Sequence, residues 1–414
     1  VIPYLDELLL ERKDQVQEWF NGHLKRVRMP VYTSVDLRNA WYKISPIDTN
    51  LYPSGFNNLC NSSDNDCVIS FRRHLRAAYG EVARILIIAE VHTRNPYYIE
   101  NLKSIIKTLE KDGYEARAGL MSADLWRDAI ELNGLTGKLT LGRIFREGDR
   151  LRTADFVPEI IISNNDFSEG TPDMIKGVSQ PIDPPPELGW TIRRKHRHFE
   201  ILHRLTRELA EILQLTAWSI FPITRVVQDV DFPTMQGLDR IADTISKVLG
   251  EIGANHLEYD VSDKPFVFIK SNYGTYGHAI MTASSAGEFL EKINKKEKRN
   301  MQRSKGGMVV RSVIVQEGVP TADLSGGCPA EPVIYLIGGE PVGGFYRINC
   351  RKTIRGNLNS PGMTFSKICF HKTENRRPAE IETATYTDAA LIRVMGVMAR
   401  VAAIAAAYER EGMP

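Results

Sequence analysis

Lys270 ends the apolar run Phe266-Val267-Phe268-Ile269, and Ser271-Asn272-Tyr273-Gly274-Thr275-Tyr276-Gly277-His278 follows it. A strand that fixes an ammonium group beside a loop of small residues brings a cation and backbone N–H donors to one place. That is what holding a triphosphate requires. The lysine precedes the glycines, so this is neither the G-x-x-x-x-G-K-[ST] phosphate loop nor the G-x-G-x-x-G dinucleotide turn. The same residues also describe a hairpin whose glycines serve turn geometry, and the segment alone does not decide between the two.

Other polar clusters fall where a parallel sheet would present them. The run Arg84-Ile85-Leu86-Ile87-Ile88-Ala89 reads as a strand buried on both faces, followed by a helix near Tyr97 to Asp112 and a strand from Tyr114 to Ala118. This is a βαβ unit, whose ligand loops lie at the carboxyl ends of its strands. Those ends are Glu90-Val91-His92-Thr93-Arg94-Asn95 and, after Ile160-Ile161-Ile162, Ser163-Asn164-Asn165-Asp166-Phe167-Ser168-Glu169-Gly170. The densest positive charge, Ile192-Arg193-Arg194-Lys195-His196-Arg197-His198, precedes a helix expected from Phe199 to Leu215. Cations oppose the dipole at a helix N-terminus, so the run is either a solvated helix start or a site for an anion.

A chain of 414 residues can build two or three lobes. A net charge of +2 argues against nucleic acid or an anionic membrane as the main partner. No apolar run reaches the ~18 residues of a membrane span, and Val1 to Phe20 reads as a charged amphipathic helix and not as a secretory leader. Five cysteines, none in a C-x-x-C pair, make a disulfide framework or zinc site unlikely and point to a reducing cytoplasm.

Further elements are expected as a helix over Leu5 to Met29, one or two strands over Val31 to Lys43, and a loop over Asp48 to Asp66. After them come helices over Phe71 to Glu81 and Thr234 to Leu249, a strand over Val309 to Gln316, and a hairpin turning at Gly338-Gly339-Glu340. An Ala-rich helix, Asp388 to Glu409, closes the series.

The ordered series of strand-lysine-glycine loop, Val315-Gln316-Glu317-Gly318-Val319-Pro320, the hairpin turn Gly338-Gly339-Glu340-Pro341-Val342-Gly343 and Arg355-Gly356-Asn357-Leu358-Asn359 resembles the ATP-grasp fold, glutathione synthetase branch. The whole chain, with Asn164 to Gly170 and Gly189 to His198, resembles the bacterial glutamate–cysteine ligases built on ATP-grasp lines. The resemblance implies an α/β (α+β) protein: an N-terminal βαβ substrate domain over 1–230 and an ATP-grasp domain over 231–414 that includes the C-terminal helix. It implies ATP and Mg2+ as cofactors, and joining of the glutamate γ-carboxylate to the cysteine amine through an acyl phosphate. Lys270 then resembles the phosphate-binding lysine. Ser271, Gly274, Thr275, Tyr276 and Gly277 resemble the closing loop, with Gly274 and Gly277 supplying hinge freedom. Gln316, Glu317 and Val319 match the adenine and ribose contacts, Glu331 a magnesium ligand, and Arg347 and Arg355 the arginines on phosphate and reacting carboxylate. The usual Glu-x-Asn metal pair is missing after Arg355; Asn357 and Asn359 are its nearest equivalent, with an amide where a carboxylate is expected.

Within this reading, Arg94, Arg193 or Arg194 would fork onto the glutamate α-carboxylate. The loop carrying Asn165, Asp166 and Glu169 would face the substrate, Asp166 and Glu169 taking its ammonium. Another carboxylate–amine ligase on the same fold, and a non-catalytic nucleotide- or RNA-binding protein using Arg193 to Arg197 and Lys292 to Lys305, stay open as alternatives.

Overall fold

A computed structural model describes the chain except residues 91–94, 122–126, 274–279, 294–300, 303–308, 371–387 and 413–414. Helices α1 (Ile2–Glu11) and α2 (Lys13–Leu24) open it, where a single helix was expected. Strands β1 (Tyr32–Asn39) and β2 (Ile44–Asn50) form a hairpin, α3 (Asp64–Tyr79) follows, and then β3 (Arg84–Ile88), α4 (Pro96–Lys111) and β4 (Glu115–Leu120) form the expected βαβ unit. Asn95 caps α4 by accepting from Tyr97 N at 3.0 Å, and Pro96 takes the first turn, where no N–H is needed.

Strands β5 (Ala129–Gly134), β6 (Gly137–Arg143), β7 (Phe145–Glu147) and β8 (Arg150–Arg152) were not expected from the sequence, and β9 (Ile160–Ser163) and β10 (Ile182–Asp183) complete this half. The second half runs α5 (Lys195–Leu213), β11 (Thr224–Gln228), α6 (Leu238–Glu258), β12 (Val267–Ser271), β13 (Ile280–Ala283), α7 (Ala286–Lys292) and β14 (Ser312–Glu317). The short β15 (Leu324–Ser325), then β16 (Cys328–Ile337), β17 (Glu340–Ile348), β18 (Thr364–Ile368) and α8 (Asp388–Arg410) end it.

Three larger sheets and the small β7–β8 hairpin hold the described strands. The first has the order β10-β9-β3-β4-β6-β5, parallel except for β5. Ile85 to Ile88 are fully buried, as a strand covered on both faces demands. Since β4 and β9 flank β3 on opposite sides, the switch point opens between the carboxyl ends of β3 and β9. The second sheet is antiparallel, order β11-β14-β12-β13. One face carries Val267, Ile269, Val313 and Val315 into a core with α6 and α7; the other presents Phe268, Lys270 and Gln316.

The third sheet has the order β18-β17-β16-β1-β2, so the N-terminal hairpin completes a sheet begun by the C-terminal one. Alternation sorts its faces. Val35, Leu37, Ile334 and Leu336 pack on the α1, α2, α5 and α8 core, whereas Tyr32, Val333, Tyr335 and Ile337 pack on the βαβ half. The Gly338-Gly339 turn needs φ of +57° and +84°, open to glycine. A division at 230/231 would therefore cut this sheet between β1 and β16, and would also part β11 from β14.

Helix α8 has the length and composition of a membrane span, contrary to the sequence expectation, but 72% of that window is buried inside the protein. The cysteine reading is corrected as well. Cys60 pairs with Cys369 and Cys328 with Cys350, at Cα–Cα separations of 5.3 and 4.7 Å, leaving Cys67 free and buried. The first pair lies 309 residues apart, so spacing could not reveal it; the second joins the two ends of the β16–β17 hairpin. Alkylation under denaturing, non-reducing conditions should label Cys67 alone, and all five cysteines after reduction. Five labels before reduction would refute the pairing.

Candidate active site

The face of the third sheet that packs on the βαβ half turns polar as it leaves the core. Register places Glu331 opposite Arg347, and Asp36 two positions further along its own face. Arg347 Nη1 donates to Asp36 Oδ2 and to Glu331 Oε1, each at 2.6 Å. Arg38 Nε sits 2.6 Å from the other Glu331 oxygen. The remaining Arg38 nitrogens donate to Ile354 O and Gly356 O at 3.1 and 2.8 Å, stapling the loop that carries Asn357 and Asn359 to this row. Leu358 between them is fully buried, and both asparagines line the cleft.

Across the cleft stands the polar face of the second sheet. Lys270 Nζ donates to Gln316 Oε1 at 2.7 Å and to Ile47 O at 3.3 Å. Lys195, in the first turn of α5, adds a second ammonium, 2.6 Å from Asp48. Its position follows from backbone ties: Lys195 N donates to Asn272 O at 2.8 Å, and His196 N to Asn272 Oδ1 at 3.0 Å. The cleft between these walls is lined among others by Asp36, Asp48, Lys195, Lys270, Gln316 and Glu331.

The electrostatics follow from crowding these groups together. Burial pushes Lys270 down to about 8, helped by Lys195 and Arg38 and opposed by Asp48 and Glu331. Burial would raise Asp48, but Lys195 and Lys270 outweigh it and hold the carboxyl at about 2. Asp36 is raised by burial and by the nearby Glu331 and Asp48 carboxylates, against the pull of Arg347.

The sequence-predicted residues divide into three groups. Lys270, Ser271, Gln316, Val319, Glu331, Asn357 and Asn359 line the cleft, as does Glu317, and Arg347 reaches its carboxylates. The Glu317 carboxylate, however, is turned inward: it accepts from Lys43 Nζ at 2.8 Å, Trp218 Nε1 at 3.0 Å and Ile223 N at 2.9 Å. Lys43 and Glu317 are 0% and 1% exposed, so this carboxylate shapes the strand rather than reaching a ribose.

A second group stands apart from the cleft. Arg355 lies 3.7 Å from Asp263 and over the Phe266 ring. The Arg193 fork is filled by Glu409, and Arg194 folds back onto carbonyls of its own turn. At the switch point Asn165 accepts from Phe167 N and Asp166 from Ser168 N, while Glu169 is exposed. Trp190 N donates to Asp166 O at 3.0 Å, which joins this loop to the segment carrying Lys195. Arg94, Gly274, Thr275, Tyr276 and Gly277 form the third group and lie outside the described residues.

Sequence reasoning missed Asp36, Arg38 and Asp48, and reached Lys195 only as one member of the basic run Ile192 to His198. The signal for the first two was present: charges two apart in the strand run Val35-Asp36-Leu37-Arg38 point to one face.

Two antiparallel sheets thus close on a cleft in which two lysines face arginine-bridged carboxylates, as a site for anionic substrates requires. The family model described as "Glutamate-cysteine ligase" matches residues 6–410, and the chain belongs to that family. A solved structure from Methylobacillus flagellatus KT, named "Putative gamma-glutamylcysteine synthetase", is 34% identical with a TM-score of 0.85, covering 99% of this chain and 96% of that one. A glutathione synthetase-like effector from Globodera pallida (11% identity, TM-score 0.40, 86% and 82% covered) and D-alanyl-alanine synthetase A from Vibrio cholerae (10%, 0.36, 72% and 77%) are far more distant. No curated protein matches the chain significantly. The protein is a ligase that uses ATP to join glutamate and cysteine.

Two predictions follow from the charges. If Lys270 holds the triphosphate, as the resemblance implies, binding is full below the free-protein value of about 8 and weakens as pH rises above it, by up to roughly tenfold per pH unit. Calorimetric titration with a non-hydrolysable ATP analogue from pH 7 to 9.5 should show this decline, and Lys270→Arg should flatten it; an equally steep decline in the variant refutes the assignment. Glu317→Ala strands a buried ammonium and should cost about 3–5 kcal/mol in urea unfolding. Adding Lys43→Met should recover most of that loss.

Proposed function

We propose that ligation proceeds in two displacements within the cleft, with Lys270 and Lys195 holding anionic groups against the wall of Asp36, Glu331 and Arg347. The observation that carries this reading is the facing of two ammonium groups and an arginine-bridged carboxylate pair across one enclosed space. A γ-carboxylate oxygen of glutamate attacks the γ-phosphorus of ATP, and ADP leaves. The cysteine amine then attacks the acyl carbon of the γ-glutamyl phosphate and gives up a proton. The C–O bond to phosphate breaks, and phosphate departs with the former carboxylate oxygen. Phosphoryl transfer of this kind depends on positioning and charge neutralisation more than on a protein nucleophile.

Magnesium fits the carboxylate wall. Asp36 and Glu331 are hard oxygen donors lining the cleft, bridged by the Arg347 guanidinium that an incoming cation would displace. These two carboxylates would hold the ion, with the amides of Asn357 and Asn359 beside them; bound there, it would neutralise phosphate charge. Asp36 is thus our candidate for the carboxylate missing from the Asn357-Leu358-Asn359 segment. Glutamate is assigned to the seam where Lys195 and Asp48 meet the Asp166 loop, since Trp190 joins the two. Use of ATP and free amino acids supports a cytoplasmic setting, whereas the two disulfides favour an oxidising one.

The test is ADP release with magnesium, ATP and a panel of amino acids. Release should require glutamate and cysteine together and yield the γ-linked dipeptide; glutamate-independent release, or another preferred acid, would sink the proposal. Asp36→Asn and Lys270→Ala should each lower turnover at least 100-fold in folded protein, in line with the loss of charge stabilisation of the transferring group.

A further inference from the structure

Glu409 lies in the last turn of α8, with its side chain only 6% exposed. Its carboxylate accepts from Arg193 Nε and Nη2 at 2.8 and 2.9 Å and lies 2.7 Å from His198 Nδ1. Burial opposes its ionisation, yet Arg193 and His198 hold it at about 2, so the carboxylate is charged. The remaining Arg193 arm donates to Thr49 O at 2.5 Å, the residue after Asp48. The same guanidinium lies 4.9 Å from the Trp190 ring centroid, and Lys195 Nζ lies 4.5 Å from that ring. Arg193 therefore touches both supports of Lys195: the aromatic ring beneath it, and the strand backbone that presents its counter-ion Asp48.

This also accounts for the cation-rich start of α5. The anion that offsets the unfavourable dipole is Glu409, delivered by the far end of the chain. A buried ion pair is weak evidence for net stability, since desolvation consumes most of its Coulombic gain. What this one adds is geometry, because a bidentate fork fixes the guanidinium in plane and in direction.

We propose that Glu409 is a positioning residue of the ligase: through Arg193 it sets Trp190 and β2 so that Lys195 and Asp48 stand in the cleft. The proposal rests on the reading of that cleft as the reaction site. Its test is a double-mutant cycle on kcat/KM with glutamate varied, using Glu409→Gln, Lys195→Ala and the pair, each assayed well below its own Tm. Glu409→Gln and Lys195→Ala should each reduce kcat/KM tenfold or more, and the pair should be no worse than Lys195→Ala alone, because residues acting as one unit are non-additive. Glu409→Asp should restore part of the loss.

Multiplying losses in the pair, or unchanged kcat/KM in Glu409→Gln with only a lower Tm, would overturn the proposal and leave Glu409 a structural tie. If Glu409→Gln does not fold, Arg193→Lys, which keeps the charge and loses the fork, takes its place in the cycle with the same two outcomes. Full activity in Lys195→Ala beside an inactive Lys270→Ala would also overturn it while leaving the ligase reading intact. Absence of glutamate-dependent ADP release in the unaltered protein would instead remove the ligase reading itself.

Discussion

Charge is taken out of water on one face of the third sheet, where Arg38, Glu331, Arg347 and Asp36 of its interior strands meet, and the architecture follows from keeping it compensated. An isolated buried carboxylate or guanidinium would cost several kcal/mol, so each must find an opposite partner with good geometry. Arg347 supplies one donor to two carboxylates, and Arg38 closes on the second oxygen of Glu331. Because Asp36 and Arg38 come from β1 and Glu331 and Arg347 from β16 and β17, the row forms only when the N-terminal hairpin joins the C-terminal one. The chain's two ends are therefore bound to one site before any ligand is considered.

Not all buried charge in the protein does the same work. Lys43–Glu317 and Arg193–Glu409 are sealed: their side chains are at most 6% exposed, and the carboxylates take three donors each or a full fork. Saturated pairs of this sort fix direction and leave nothing for a ligand. The Asp36–Arg347–Glu331 group sits at the cleft wall, is bridged through a single guanidinium nitrogen at its shortest contacts, and leaves Arg347 Nε unpaired among the described residues. Unsatisfied buried donors are rare enough in folded proteins to call for a reason. An anionic substrate group in the cleft is one that fits the surrounding charge.

Much of this was legible in the sequence, and the failures have physical causes. Period-two alternation and continuous apolar runs located β3, β12, β14, β16 and β17, because strand burial is a local pattern. Lys270 was read from its strand and loop, and Glu331 and Arg347 from the family resemblance; the structure brings Lys270 and Glu331 to the cleft and joins Arg347 to Glu331. Glu317 lines the cleft, but nothing local tells that its side chain meets Lys43, 274 residues away in sequence. The partner of Cys60 was hidden for the same reason, and so was Glu409, whose fork on Arg193 spans 216 residues. The strands from Ala129 to Arg152 were missed because they are half-exposed and charged, so no apolar run marks them.

The absent Glu-x-Asn pair shows why motif spacing is a weaker constraint than donor geometry. A hard divalent cation requires oxygen donors at fixed distances from one another, and is indifferent to which strand delivers them. On the third sheet Arg347 on β17 stands opposite Glu331, and the proposed second carboxylate, Asp36 on β1, pairs with Val333 two residues along β16, while the loop after Arg355 offers neutral amides. The proposed placement of the metal carboxylate on β1 has a structural consequence. The hairpin must then hold its register to within one residue, since a slip would turn Asp36 and Arg38 to the α8 face and bring Val35 and Leu37 into the cleft. The packing of Val35 and Leu37 against the α8 core opposes that slip, so the apolar face of β1 is what keeps its charged face in place.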